Sequence, residues 1–365
     1  MKRIPLATPH MSGNEQKYVK EAFDTNWIAP LGPQVDAFEE SIKSYVTVDN
    51  AVALNSGTSA IHMALRHAKV QKDDIVFCST LTFAASCNPI IYENATPVFI
   101  DSELDTWNMC PKSLEKAFKK YPDAKACVLV HLYGQSSKMD EIVKLCKKYN
   151  CILIEDAAES LGSTYKNKQT GTFGDYGIFS FNGNKIITTS GGGMLVSNIN
   201  LDSVRKWSTQ SRDNAPWYQH TELGFNYRLS SICAAVGRGQ MEVLNERIKQ
   251  KQNIFNTYKK ELEGVIEMQN MISDGVSNCW LSAATLKTKT PTELINFLND
   301  NNIEARHVWK PMHLQPIFEK YDYIYDNTSV SEELFNTGVC LPSDTKMTKE
   351  EQMYVISKIK ECFNV

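Results

Sequence analysis

Several signatures are missing from this 365-residue chain. No apolar run approaches the roughly 20 residues of a membrane-spanning helix, and the start, Met1-Lys-Arg-Ile-Pro5, leads into polar residues instead of a signal-peptide core. Charge is balanced, with 39 Lys and Arg against 42 Asp and Glu and a net charge of −3, so neither a nucleic-acid surface nor an anionic-membrane surface is implied. A cytoplasmic location is the expectation, and an anionic ligand would have to be bound locally. Ten cysteines lie scattered from Cys78 to Cys362 with no C-x-x-C pair, several inside apolar runs, which reads as buried thiols in a reducing compartment. The seven histidines contain no H-E-x-x-H, and His62 and His67, five apart on a predicted helix, point in different directions, so no protein metal site is expected. Neither a Walker Gly-Lys-Ser/Thr loop nor G-x-G-x-x-G is present.

What is present is alternation. Ala51 to Leu54, Ile75 to Ser79, Val98 to Asp101, Cys127 to His131 and Ile152 to Glu155 are apolar runs of strand length, separated by helical patterns at Ser59 to His67, Pro111 to Lys119 and Met139 to Lys148. This predicts an α/β domain with a mainly parallel central sheet. A helix is expected from Gly13 to Thr25, an irregular loop from Asn26 to Pro33, and one long helix from about Ser231 to Leu262. Beyond it, Trp280 to Leu286, Pro291 to Asp300, Ile303 to Trp309 and Lys349 to Cys362 suggest a smaller α+β domain. The division is placed at 1–250 and 251–365, softened by the continuous helix that bridges it. In the loop before residue 33, Trp27 reads either as a packed anchor or as a ligand contact.

Ligands of parallel sheets sit beyond the carboxyl ends of the strands, which directs attention to the loops there. Asn55-Ser-Gly-Thr-Ser59 joins a strand to a helix with small residues and hydroxyls; it reads as an anion cradle or as an ordinary N-cap. Ile152-Leu-Ile-Glu-Asp156 ends a buried strand on carboxylates, so Asp156 needs a cation opposite it, either a metal such as Mg²⁺ or a protonated ring nitrogen. Phe179 to Ser197 is an apolar strand running into a polar loop that holds Lys185 and then Gly191 to Gly193. A phosphate cradle at Ser56 to Ser59, a strand-end Asp and a loop Lys in that order together specify pyridoxal phosphate, with Lys185 forming the Schiff base and Asp156 holding the pyridine nitrogen protonated.

Glu155-Asp-Ala-Ala158, Gly171-Thr-Phe-Gly174, Ser180-Phe-Asn-Gly-Asn-Lys185, Gly191-Gly-Gly193 and Asn226-Tyr-Arg228 resemble the DegT/DnrJ/EryC1/StrS family of sugar-nucleotide aminotransferases over essentially the whole chain. Pro9-His-Met, Asn26-Trp-Ile-Ala-Pro-Leu-Gly32, His131-Leu-Tyr-Gly134 and Asn182 to Gly193 look most like the branch that aminates C4 of UDP-linked 2-acetamido-4-keto sugars, as in N-acetylbacillosamine synthesis. The resemblance implies a fold type I enzyme that works as a homodimer with shared active sites, using pyridoxal 5'-phosphate in its aldehyde and amine forms. It implies Lys185 as the catalytic lysine, Asp156 at the ring nitrogen, Phe83 stacked on the ring, Glu159 facing the 3-hydroxyl, and Gly57, Thr58 and Ser180, beside Ser56, at the phosphate. Asn226 would reach the neighbouring subunit's phosphate. Trp27, Asn182, Tyr227, Arg228, Arg306, Trp309 and His313 are the substrate-side candidates, with Arg228 and Arg306 at the nucleotide pyrophosphate.

The implied reaction is transfer of an amino group from L-glutamate to C4 of a UDP-linked 2-acetamido-4-keto-2,6-dideoxyhexose. The alternatives are C3 or C4 amination of a TDP- or GDP-linked keto-6-deoxy sugar, and a non-catalytic regulator. A dehydratase of the same fold would replace the lysine with His, whereas this chain keeps Lys185. The chain departs from the pattern where relatives carry Gln at Glu159, His at Asn182, Arg at Cys279 and Pro-Leu at His307-Val308.

Overall fold

The computed structural model describes residues 2–365. Its main sheet is assembled from short runs buried on both faces, the pattern that helices on either side require: β1 (Asn50–Leu54), β2 (Ile75–Ser79), β3 (Thr96–Ile100), β4 (Ala126–Val130) and β5 (Ile152–Asp156). A small ribbon of β6 (Thr164–Tyr165) and β7 (Lys168–Gln169) follows, and then β8 (Tyr176–Ser180) and β9 (Gly193–Ser197). The C-terminal part adds β10 (Glu267–Met268), β11 (Gly275–Val276), β12 (Ser282–Thr285), β13 (Arg306–His307), β14 (Tyr323–Ile324) and β15 (Gly338–Leu341).

The eight-stranded sheet runs β1-β9-β8-β5-β4-β2-β3-β14, and all its pairings are parallel except the two that β9 makes. The carboxyl ends of β2, β4, β5 and β8 therefore open along one edge.

Two helical expectations are corrected. Helix α1 (Glu15–Asp24) lies where predicted, but α2 (Pro33–Val46) begins at the last residue of the expected loop. Pro33 suits the first turn, and Val35, Phe38, Ile42 and Val46 bury one face, a helical spacing readable in the sequence. Helix α3 (Gly57–His67) follows β1. The long helix expected at 231–262 is two, Ser231–Met241 and Leu244–Glu261, broken where Val243 leaves helical geometry. The break redirects the chain: Gly239 in the first piece lies so close to α1 that a Cβ there would sit 2.5 Å from the Glu15 nitrogen, while Phe255 and Tyr258 in the second enter the C-terminal core.

A four-stranded antiparallel sheet, β10-β12-β15-β13, forms that core with helices Pro291–Asp300 and Lys349–Phe363, each started by a Thr capping box at Thr290 or Thr348. Of the element expected over 303–309, only Arg306–His307 is regular, as β13. Position 250 falls inside helix Leu244–Glu261, and the chain is stitched across it: β14 joins the main sheet beside β3, β11 pairs with β6, and Ile4 bridges Ile303. Among the described residues, no helix is long and apolar enough to cross a membrane.

Candidate active site

Strand register brings the cradle together. Gly193 pairs with both Leu54 and Ser180, so the start of α3 meets the end of β8 across one glycine. A Cβ on Gly193 would sit 2.4 Å from the Ser56 carbonyl and 2.5 Å from the Gly57 nitrogen; a Cβ on Gly57 would sit 3.2 Å from that of Ser180. The Ser56 side chain is the N-cap, accepting from the Ser59 N–H at 3.0 Å. The cap and cradle readings are compatible: Ser56 shapes the turn, while the Gly57 and Thr58 N–H groups, in the first helical turn, have no carbonyl of their own helix and form its positive dipole end. Together with the Ser180 hydroxyl they fit a phosphate.

Asp156 ends β5 and is buried. Its Oδ2 accepts from the Ser86 hydroxyl at 2.6 Å and its Oδ1 from the Ala158 N–H at 3.2 Å, and none of these partners is a cation. Thr82 in turn holds the Ser86 hydroxyl at 2.7 Å. A buried carboxylate with only neutral donors fits a protonated ring nitrogen placed opposite it. The rival metal reading gains no ligand set, since among the described residues no cluster of three or more His, Cys, Asp or Glu could hold an ion.

Lys185 sits in the loop between β8 and β9, its N–H bonded to the Asn182 carbonyl at 3.0 Å. Its Nζ lies 3.7 Å from Glu159 Oε1 and 4.0 Å from the centre of the Trp280 ring. Glu159 is buried, and its Oε2 accepts the Tyr133 N–H at 2.7 Å. Burial raises the Glu159 pKa, while the Lys185 charge and the Tyr133 N–H oppose that rise. The carboxylate is thus turned toward the lysine. The Trp309 indole nitrogen, buried without a hydrogen-bond partner, borders the same carboxylate.

Other candidates divide by exposure. Phe83 is 56% exposed with its ring 5.4 Å from that of Trp309, an aromatic face free to stack. Asn182 is exposed near Lys185 in sequence, and the exposed Asn226 uses its backbone carbonyl to accept from the Asn55 side chain at 3.3 Å. Trp27 is exposed, with its indole N–H tied to the Leu31 carbonyl at 2.5 Å, and Arg306 is an exposed cation held by Glu304 at 2.7 Å. Tyr227 packs inward, its hydroxyl 3.3 Å from His62 Nδ1.

Two candidates lie elsewhere than expected. Arg228 is buried beside Glu39 at 4.0 Å instead of lying open to solvent, its Nε and Nη1 have no hydrogen-bond partner, and burial lowers its pKa. His313 has both ring nitrogens engaged, Nδ1 with the Thr80 hydroxyl at 2.6 Å and Nε2 with Glu332 at 3.2 Å, so it braces the loop after β2 instead of facing a sugar. Burial pulls the His313 pKa down, with Glu332 opposing. Cys279, where an Arg would have met a nucleotide, is buried in the C-terminal core, and burial pushes its thiol up to about 12.

Sequence reasoning passed over Ser86, Tyr133 and Trp280, and gave no role to the pair behind the site. Glu155 is fully buried, 2.8 Å from His131 Nε2, and also accepts the N–H groups of Gly171, Phe173 and Gly174 at 2.9, 2.5 and 2.6 Å. The motifs around 131, 155 and 171–174 are this one knot. Ser86 carried a weak signal, being three residues past Phe83 in a loop after a strand.

Comparison with known proteins agrees with this geometry. Residues 9–360 match the family model described as the DegT/DnrJ/EryC1/StrS aminotransferase family. The chain is 53% identical over 375 residues to a "Putative pyridoxal phosphate-dependent aminotransferase EpsN" of Bacillus subtilis, covering 100% of this chain and 96% of that one. It is 36% identical to a "GDP-perosamine synthase" of Escherichia coli O157:H7 over the full length of both, and 40% identical to a "UDP-4-amino-4,6-dideoxy-N-acetyl-beta-L-altrosamine transaminase" of Campylobacter jejuni over 64% of this chain and 62% of that one. A solved DegT DnrJ EryC1 StrS aminotransferase from Brucella abortus superposes with a TM-score of 0.89 at 25% identity, over 96% of this chain and 95% of that one. Matched by the family model over residues 9–360 and by a full-length relative at 53% identity, the chain belongs to the DegT/DnrJ/EryC1/StrS family and is a pyridoxal-phosphate-dependent sugar aminotransferase.

Proposed function

We propose that the protein transfers an amino group from L-glutamate to C4 of a UDP-linked 2-acetamido-4-keto-2,6-dideoxyhexose, for an N-acetylbacillosamine-type sugar of a surface polysaccharide or glycoprotein. The observation that carries the amine transfer is the placement of Lys185 Nζ within 4 Å of both Glu159 and Trp280 on the sheet edge that ends in Asp156 and Ser180. The choice of sugar is supported by Asn182, exposed in the Lys185 loop where the acetamido-sugar branch carries Asn, and by similarity to a transaminase named for a UDP-linked acetamido sugar.

Pyridoxal phosphate, when bound, supplies a carbonyl that condenses with amines and a protonated ring that draws electrons from the neighbouring bond. The chain's own residues would do the rest. Gly57, Thr58 and Ser180 would hold the phosphate, with Asn226 contributed across a homodimer interface. Asp156, fixed by Ser86, would keep a proton on the ring nitrogen. Phe83 would stack on the ring, and Trp309 beside it would wall the sugar side. Lys185 Nζ would remove a proton from Cα of glutamate in one half of the cycle and deliver one to C4 of the sugar in the other. The cytoplasm, where nucleotide sugars and glutamate coexist, is the proposed location.

The full-length similarity to a GDP-perosamine synthase sustains a second reading, C4 amination of a GDP-linked sugar. One amine-transfer assay with UDP-, TDP- and GDP-linked 4-keto-6-deoxy sugars separates them. The UDP 2-acetamido substrate is expected to win clearly; preference for the GDP sugar would overturn the proposed substrate and leave the aminotransferase standing.

A further inference from the structure

The place the Lys185 amine occupies is specific. Its side chain is 13% exposed, with Nζ over the face of Trp280 and beside Glu159. Trp280 comes from the C-terminal part of the chain and is held on every side. Its indole N–H donates to the carbonyl of Asn184, the residue before the lysine, at 2.7 Å. Its backbone N–H donates to Asn278 Oδ1 at 2.9 Å, and its carbonyl accepts from the buried Lys251 Nζ at 2.9 Å.

The chain around it is shaped to deliver the ring. Cys279, the residue before Trp280, adopts φ 53°, a left-handed conformation that few non-glycine residues take. Asn278 also donates to the Glu159 and Leu161 carbonyls at 3.0 Å each, tying Trp280 to the segment that carries the facing carboxylate. Gly134 makes room for this segment, since a Cβ there would meet Asn278 Oδ1 at 2.0 Å. The ring is thus tied to the lysine loop through its N–H, while the Trp280 backbone is fixed from two sides by Asn278 and Lys251.

We propose that Trp280 is a positioning residue that, with Glu159, forms a cation-binding seat for the lysine amine whenever Lys185 is not joined to the cofactor. This inference rests on the assignment of Lys185 under the proposed function. An aromatic face attracts an ammonium group, more strongly where water is excluded, and the carboxylate supplies the opposing charge. The seat keeps Nζ at the reacting carbons between proton transfers and prevents it from swinging into the open cleft. Only protons move in this step: Nζ accepts one from a substrate carbon and later returns one. Trp280 itself takes no part in bonding changes.

The test is acetylation of the cofactor-free protein with acetic anhydride, followed by peptide mass spectrometry of Lys185 relative to surface lysines such as Lys17. Trp280→Phe keeps an aromatic face and loses the N–H; Trp280→Leu loses the face. Lys185 is expected to acetylate about tenfold faster in Trp280→Leu and within about twofold of wild type in Trp280→Phe, with Lys17 unchanged in both. In the loaded enzyme, exchange of the glutamate Cα proton should slow about tenfold in Trp280→Leu with little change in glutamate binding. Equal rates in the two variants, or no change in either, would overturn the seat. If Trp280→Leu does not fold, uniform 5-fluorotryptophan weakens the face at constant shape and should speed Lys185 acetylation about twofold, whereas no change would overturn the proposal. A wrong assignment of Lys185 would show separately, as pyridoxal phosphate fixed by borohydride on a different lysine.

Discussion

Ser86 donates its hydroxyl hydrogen to Asp156 Oδ2 across 2.6 Å, and both groups are buried. This bond orients the carboxylate proposed to face the cofactor's ring nitrogen. Ser86→Ala leaves Asp156 with only the Ala158 N–H as donor. Hydrogen bonds to charged groups contribute about 1.5–3 kcal/mol, so pyridoxal phosphate should bind roughly 10- to 150-fold more weakly while the fold is kept. Titration of the cofactor's visible absorbance reads the change, and unaltered affinity would remove Ser86 from the site.

The glycine run after Lys185 offers a matched pair. At Gly193 a methyl group would collide with the backbone of Ser56 and Gly57, whereas at Gly191 nothing lies within 4 Å. Gly193→Ala should weaken cofactor binding at least about tenfold and cost roughly 1–3 kcal/mol of stability, with Gly191→Ala near wild type in both. Equal behaviour of the two variants would deny that the cradle is built there.

Glu155 serves four donors at once, from His131, Gly171, Phe173 and Gly174. Glu155→Ala strands all four in the interior. A loss of about 3–5 kcal/mol in urea unfolding is expected, larger than for any single-donor change near the site.

Lys251 gives a pH dependence of defined sign. It is buried, and burial lowers its pKa to about 8 from 10.5, Asp344 opposing; its Nζ donates to the Trp280 and Ser343 carbonyls at 2.9 and 2.6 Å. Between pH 8 and 10.5 the unfolded chain keeps a proton that the folded chain has released, so this group makes stability rise with pH across that window. Relative to Lys251→Met, the wild type should gain up to roughly 3 kcal/mol between those limits, read by denaturant unfolding at both pH values. A flat difference would mean that the ammonium is not disfavoured inside.

The sheet, its strand-end loops and Lys185 were legible because apolar runs, glycines and a lone loop lysine are local signals. Asp156 was legible because a carboxylate closing an apolar strand is costly unless something answers it. The reverse faces were not legible. Arg228 and His313 were ligand candidates only through the family resemblance, and the bridge between Leu54 and Arg228 sets the arginine beside Glu39, while the Thr80 hydroxyl and Glu332 occupy both nitrogens of the histidine. Trp280 escaped notice because its partner lies 95 residues earlier, and only the docking of the C-terminal part brings its ring to Lys185. Helix α2 was readable from Val35, Phe38, Ile42 and Val46 once Pro33 is taken as a start instead of a break.

Lys185 is the proposed attachment point of pyridoxal phosphate. Borohydride reduction of the cofactor-loaded protein, followed by peptide mass spectrometry, reads that attachment. A phosphopyridoxyl group is expected on Lys185 and is expected to be lost in Lys185→Ala; the same group on another lysine, with Lys185 unmodified, would overturn the assignment.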